Sequence, residues 1–171
     1  MKKSEIEENI KFFAIAILII LFMNYGLGFL LKTDLPVVAV ISESMTHDKT
    51  TEIVHYNYLK TEYGYDKEEI DSWPINSGFR KGDVLIIKGI SQNEIKVGDV
   101  IVFDIESQRI PIVHRVIKIN GEIVTKGDHN PVSDPWKIEK IHGKVIFVIP
   151  FLGWPKLIFT YVVSWILSLI F

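Results

Sequence analysis

The sequence predicts a mostly β protein: an antiparallel β domain between an N-terminal transmembrane helix and a C-terminal hydrophobic helix. Three observations lead there. The 19 basic and 21 acidic residues all lie outside two stretches, 12–31 and 157–171, so a charged middle separates two apolar ends. The middle is a series of short β-branched runs punctuated by Gly, Asn and Asp. Those runs are not joined by the helix-length crossovers of a parallel α/β sheet.

The N-terminal block, residues 12–31, is broken only by Asn24, Gly26 and Gly28. Twenty helical residues reach about 30 Å, enough for a hydrocarbon core. Lys2, Lys3 and Lys11 precede it, which by the positive-inside rule places residues 1–11 in the cytoplasm and the chain after Lys32 outside. A cleavable leader ending near Val37-Val38-Ala39 is the alternative, but the apolar run is long for one. The C-terminal block, 154–171, carries Thr160, Ser164 and Ser168 at four-residue intervals, a small polar helix face suited to packing in lipid. Its charge-free part, 157–171, gives only about 22 Å of helix, so it is read as membrane-associated or as a second span. Trp154, Tyr161 and Trp165 are candidate interface anchors.

Between the ends, residues 32–150 form the expected extracytoplasmic domain. Strands are predicted over 34–45, 81–89, 97–104, 110–119, 122–126 and 144–150, with Asn120-Gly121 as a hairpin turn. Short strands joined by tight turns suggest a sandwich or barrel-like core. Residues 46–79 differ. They are polar, rich in Tyr and Thr, and lack apolar periodicity beyond a weak helical pattern over 60–72, so they read as an insertion or lid.

A net charge of −2 with no basic block argues against nucleic-acid binding. The absence of cysteine removes disulfides, Cys-type zinc sites and thiol nucleophiles. The five histidines are scattered with no metal-ligand spacing, so neither metal nor cofactor is expected.

Four pieces carry candidate chemistry. Ser44 ends the first predicted strand, and Ser42, two residues earlier, would share its face there. One hydroxyl can attack a carbonyl while the other donates to the developing oxyanion. His114, in Ile112-Val113-His114-Arg115-Val116, is the available general base. Asp128 and Asp134 lie in a turn-rich loop after a strand, where a carboxylate can orient the imidazole.

These residues sit in an ordered run of five boxes: Ser42-Glu43-Ser44-Met45, Gly82-Asp83-Val84-Leu85-Ile86-Ile87, Val97-Gly98-Asp99-Val100-Ile101-Val102-Phe103, the His114 box, and Thr125-Lys126-Gly127-Asp128-His129-Asn130 with a later Asp134. Together they resemble the type I signal peptidases, in the archaeal and endoplasmic-reticulum branch that carries histidine where bacterial enzymes carry lysine. The resemblance covers 37–45 and 80–134. It implies an antiparallel β domain of signal-peptidase type, Ser44 as nucleophile and His114 as base. It implies Asp134 as the favoured partner of His114, with Asp128 ordering the loop or contributing secondarily. It implies an oxyanion hole from the Ser42 hydroxyl and the Ser44 N–H. Val38, Val40 and Ile112 are candidates to line the substrate pockets, and Met45 to pack beneath the site. Many relatives have proline where His47 stands, and residues 46–79 have no clear counterpart.

The function so implied is a membrane-bound serine endopeptidase that removes signal peptides from exported preproteins, in a cell membrane or an endoplasmic-reticulum-type membrane. Signal peptides, the lipid bilayer, and the export channel or accessory subunits are the expected partners. Activity is expected to rise with pH as His114 loses its proton. A narrower processing protease of the same fold, or a binding module that cleaves nothing, are the alternatives.

Overall fold

The computed structural model describes residues 3–170; Met1, Lys2 and Phe171, and with them one lysine of the N-terminal flank, lie outside the described residues. The N-terminal block is helical from well before the expected start. Helix α1 (Lys3–Leu21) passes through a π-helical turn at Phe22–Gly26 into α2 (Leu27–Leu31). The turn widens where Phe22 lays its ring over Gly26, a place where any Cβ would stand 2.5 Å from a ring carbon. No helix among the described residues is long and apolar enough to cross a membrane, which departs from the expected span over 12–31. Charged first turns in α1 and the interruption at 22–26 leave neither helical piece with both the length and the apolar character required.

Among the described residues, six strands form one sheet in the order β1-β2-β6-β3-β4-β5, every neighbouring pair antiparallel. They are β1 (Val37–Ala39), β2 (Val84–Lys88), β3 (Val100–Asp104), β4 (Ile112–Asn120), β5 (Glu122–Lys126) and β6 (Lys140–Ile149). The antiparallel expectation holds, whereas the two-sheet sandwich does not: this is a single sheet with both faces covered. Alternation along β3 shows why. Val100 and Val102 join one cluster with Val40, Met45, Leu85 and Val145, while Ile101 and Phe103 join another with Ile95, Ile112 and Val116. Register slips at Ile86/Ile87, Val102/Phe103 and Val116/Lys118 bend the strands.

Two further departures matter for the site. The strand expected over 34–45 is only three residues long, because the chain turns at 42–45 immediately beyond Val40. Residues 46–79 are an insertion with its own structure, more helical than the weak pattern over 60–72 suggested. They hold α3 (Lys49–Thr51), a π-helical stretch Glu52–Asn57, α4 (Tyr58–Tyr63) and α5 (Lys67–Asp71). Thr51, His55 and Leu59 recur every four residues and are all buried. Leu59, Ile70 and Trp73 pack against Ile117 of β4 as a third cluster. With the terminal helices, helix reaches about 38% of the chain, so "mostly β" describes the domain core and not the whole.

The last helix, α6 (Trp154–Ile170), docks on the loop before β2. The Gly153 N–H donates to the Gly82 carbonyl at 2.8 Å, and Lys81 Nζ donates to the Tyr161 hydroxyl at 2.7 Å. On its other side the same loop pairs with Val40, through Gly82 N–H to Val40 O at 3.0 Å and Val40 N–H to Asp83 O at 2.9 Å.

Candidate active site

Ser44 sits in the turn after β1, not in the strand. Its position is set from below and from the side. Met45, 1% exposed, is sunk in the core cluster, and its carbonyl accepts the Phe79 N–H at 3.0 Å. The Ser44 carbonyl accepts the His129 N–H at 2.8 Å. His114 lies in β4 opposite Ile101 and is buried. Asp134 follows β5, its N–H donating to the Thr125 carbonyl at 2.8 Å.

These elements bring three side chains into line. Ser44 Oγ is 3.0 Å from His114 Nε2, and His114 Nδ1 is 2.7 Å from Asp134 Oδ2. That same Asp134 oxygen accepts the Thr125 hydroxyl at 2.6 Å. An acceptor oxygen on the Nδ1 side assigns the imidazole proton to Nδ1, which leaves Nε2 free to accept from the Ser44 hydroxyl. Ser42 Oγ is 3.3 Å from Ser44 Oγ. The two hydroxyls meet although the shared strand face expected for them is absent, because the turn brings them together instead.

Asp128 bonds to other side chains. It is fully buried and takes two hydrogen bonds from Arg115, from Nε to Oδ1 at 2.9 Å and from Nη2 to Oδ2 at 2.7 Å. A third comes from His47 Nε2 to Oδ2 at 2.8 Å. Burial pushes the Asp128 carboxyl up, but the Arg115 charge and the His47 hydrogen bond outweigh it and hold the group well below the usual carboxylate range. Beside it, burial pushes His55 down to about 4 against the pull of Asp128, with Lys126 and Arg115 reinforcing the fall. Lys126, buried and donating to the Gly127 carbonyl at 3.0 Å, is likewise pulled down to about 8 by burial.

Ser44 and His114 open into a cleft of about 700 Å³. Val38, Val40 and Ile112 all line it, and Trp136 with Leu157 and Thr160 of α6 contributes further lining. Sequence reasoning assigned no role to Thr125 or His55, and singled out His47 only as standing where many relatives have proline. Thr125 carries no signal except its place before Lys126-Gly127-Asp128. His129, adjacent to Asp128 in sequence, instead directs Nδ1 toward Asp48, 3.7 Å from its Oδ1.

A hydroxyl, an imidazole and a carboxyl in hydrogen-bonded series, at the mouth of an apolar cleft, is the arrangement of a serine-type hydrolytic site. No family model matches the chain. Individual curated proteins do. The chain is 42% identical over 69 residues to the signal peptidase complex catalytic subunit SEC11C of Canis lupus familiaris, covering 37% of this chain and 36% of the relative. It is 34% identical over 99 residues to the catalytic subunit SEC11 of Colletotrichum graminicola, 48% of this chain and 57% of that one. It is 40% identical over 68 residues to the Scheffersomyces stipitis subunit, 37% and 40% of the two chains. The matches thus span from about a third to just over half of the relatives' length. Over that span the chain is similar to proteins named as catalytic subunits of signal peptidase complexes.

Proposed function

We propose that this protein is a serine endopeptidase that removes signal peptides from preproteins, with Ser44 as nucleophile and His114 as general base. The observation that carries the reading is the continuous series from Ser44 Oγ through His114 to Asp134, at 3.0 and 2.7 Å, opening into the apolar cleft. An extended substrate lies beside β1, its small side chains against Val38, Val40 and Ile112. Ser44 Oγ attacks the scissile carbonyl carbon and its proton passes to His114 Nε2. The Ser42 hydroxyl and the Ser44 N–H donate to the oxyanion. The carbon–nitrogen bond breaks as His114 protonates the leaving amine, giving an acyl-enzyme. Water, deprotonated by His114, then hydrolyses the ester. Asp134 holds the Nδ1–H tautomer throughout and stabilises the imidazolium.

The terminal helices are the membrane-contacting parts of this reading, with the N-terminus cytoplasmic and the catalytic domain outside. In α1 the side chains of Phe12, Phe13, Ile17 and Leu18 are more than half exposed, as are Phe159, Tyr161 and Trp165 in α6, an apolar surface that water solvates poorly. Lipid contact would hold the cleft near an emerging signal peptide and raise the effective concentration of the two chains. The relatives are named as subunits of a complex, which makes accessory subunits candidate partners here.

The test is a cleavage assay in liposomes on a preprotein with a small-x-small site. Cleavage by the wild type, lost in Ser44→Ala and His114→Ala, is the expected result. Cleavage that survives Ser44→Ala removes the proposed nucleophile.

A further inference from the structure

The helical insertion, residues 46–79, surrounds the buried Arg115–Asp128 pair. His47 Nε2 donates to Asp128 Oδ2 at 2.8 Å, and His55 Nδ1 stands 3.6 Å from Asp128 Oδ1. At its far end, the Pro74 carbonyl accepts from Arg115 Nη1 at 2.7 Å and the Ile75 carbonyl from Nη2 at 2.9 Å. Ile75 holds a φ of 54°, a strained conformation for a β-branched residue. The loop so gripped is the one that holds the nucleophile. Three contacts run side by side between 44–47 and 127–129. His129 N–H donates to Ser44 O at 2.8 Å, Asp128 N–H points to Met45 Sδ at 3.4 Å, and His47 reaches the Asp128 carboxylate. Replacing His47 removes one of the three contacts without touching Ser44, the core methionine, the loop backbone or the Arg115–Asp128 pair.

We infer that His47 is a positioning residue for Ser44, acting through Asp128, and that residues 46–79 are a buttress for the catalytic turn rather than a lid over it. The inference rests on the reading of Ser44 as nucleophile. The His47 ring carries its proton on Nε2, because a carboxylate with two Arg115 donors already in place accepts only. Losing that donor leaves only the Ser44 carbonyl and Met45 Sδ contacts between the turn and the loop, and lets Ser44 Oγ drift from His114 Nε2. Small displacements at a reacting atom lower kcat more than they weaken substrate binding.

The experiment compares His47→Ala, His47→Gln and His47→Asn in the full chain in liposomes, with Ser44→Ala as blank. Glutamine sets an amide N–H where Nε2 stands, whereas asparagine reaches only as far as Nδ1. Two readouts are taken: kcat and KM for preprotein cleavage, and hydrogen exchange of a peptide covering 125–132. His47→Ala is expected to lower kcat on the order of ten- to a hundredfold, as loss of one charge-assisted hydrogen bond does, with KM within about twofold. It should also speed exchange at 128–129. His47→Gln should restore both and His47→Asn neither. Wild-type kcat and exchange in His47→Ala overturn the inference. So does a uniform loss of protection across the domain that glutamine fails to rescue, since that marks a residue needed only for folding. If the wild type cleaves nothing, the reading of the function fails, and the exchange comparison still decides whether His47 holds the loop.

Discussion

The backbone carbonyl of Ser44 lies 2.8 Å from where a Cβ on Gly127 would stand, and it accepts the His129 N–H two residues further along the same loop. The turn bearing Ser44 and the loop leading to Asp134 are therefore pressed together, with no room for a side chain between them.

Gly127→Ala tests that contact. The added methyl meets Ser44 O at 2.8 Å and the Asn130 amide at 2.7 Å, and the backbone oxygen cannot swing aside as a side chain can. The Ser44 turn must move. Cleavage is expected to fall by at least about tenfold, while thermal stability falls by about 1–3 kcal/mol, the usual cost of overpacking. Parallel measurement of kcat/KM and Tm checks this, and an unchanged kcat/KM counts against the close approach.

Thr125 is the second donor to Asp134. Thr125→Val keeps the shape of the buried side chain but removes the 2.6 Å hydrogen bond to Asp134 Oδ2. The carboxyl is then free to rotate away from His114 Nδ1. A loss of about 1–2 kcal/mol in transition-state stabilisation is expected, with Thr125→Ser close to wild type. Steady-state kinetics on the three proteins are sufficient.

His55 gives the domain an acid-sensitive stability. Its folded pKa, about 4, lies below its ordinary 6.5, so between those values the unfolded chain binds more protons. Stability is thus fully present above pH 6.5 and declines as pH falls toward 4, by roughly 3 kcal/mol over the window. Urea unfolding at pH 7 and pH 4.5 should show the decline, and His55→Gln should flatten it. An equally steep slope in His55→Gln assigns the acid sensitivity to other groups.

Gly82 governs the docking of α6. Its φ is +91°, and a Cβ there would stand 2.2 Å from Trp154 Nε1. Gly82→Ala therefore combines backbone strain with a clash against a ring. It should release α6, cost more than about 2 kcal/mol, and open the bond between exposed Lys156 and buried Leu157 to trypsin. A proteolysis time course set against the wild type reads this directly; equal resistance means that the helix is held by other contacts.

Much of the fold was legible because strands and tight turns write themselves locally. The 122–126 strand has the predicted bounds, and β2 to β4 fall inside or close to theirs, since alternating β-branched runs between Gly and Asn turns admit few other structures. The insertion was legible only in part: the weak helical pattern over 60–72 falls on α4 and α5, whereas the helical turns over 49–57 were not foreseen. Its buried face is Thr51, His55 and Leu59, and two polar residues among three hide a helical stripe from any apolar periodicity. The terminal block was overread for the opposite reason, since its apolar composition says nothing of the π-helical turn at 22–26.

By itself, then, the sequence pointed to an antiparallel β domain and to a serine, a histidine and two aspartates as candidates for its site. Those are properties of residue type and local order. Only the tertiary structure decided that Asp134, not Asp128, stands against His114. It also decided that Ser42 and Ser44 meet through a turn, and that Arg115, His47 and His55 enclose Asp128. Each of those pairings joins segments whose approach depends on how the sheet and the insertion pack. A carboxylate's partner is set by where the backbone carries it, and that distance is not written in its neighbours along the chain.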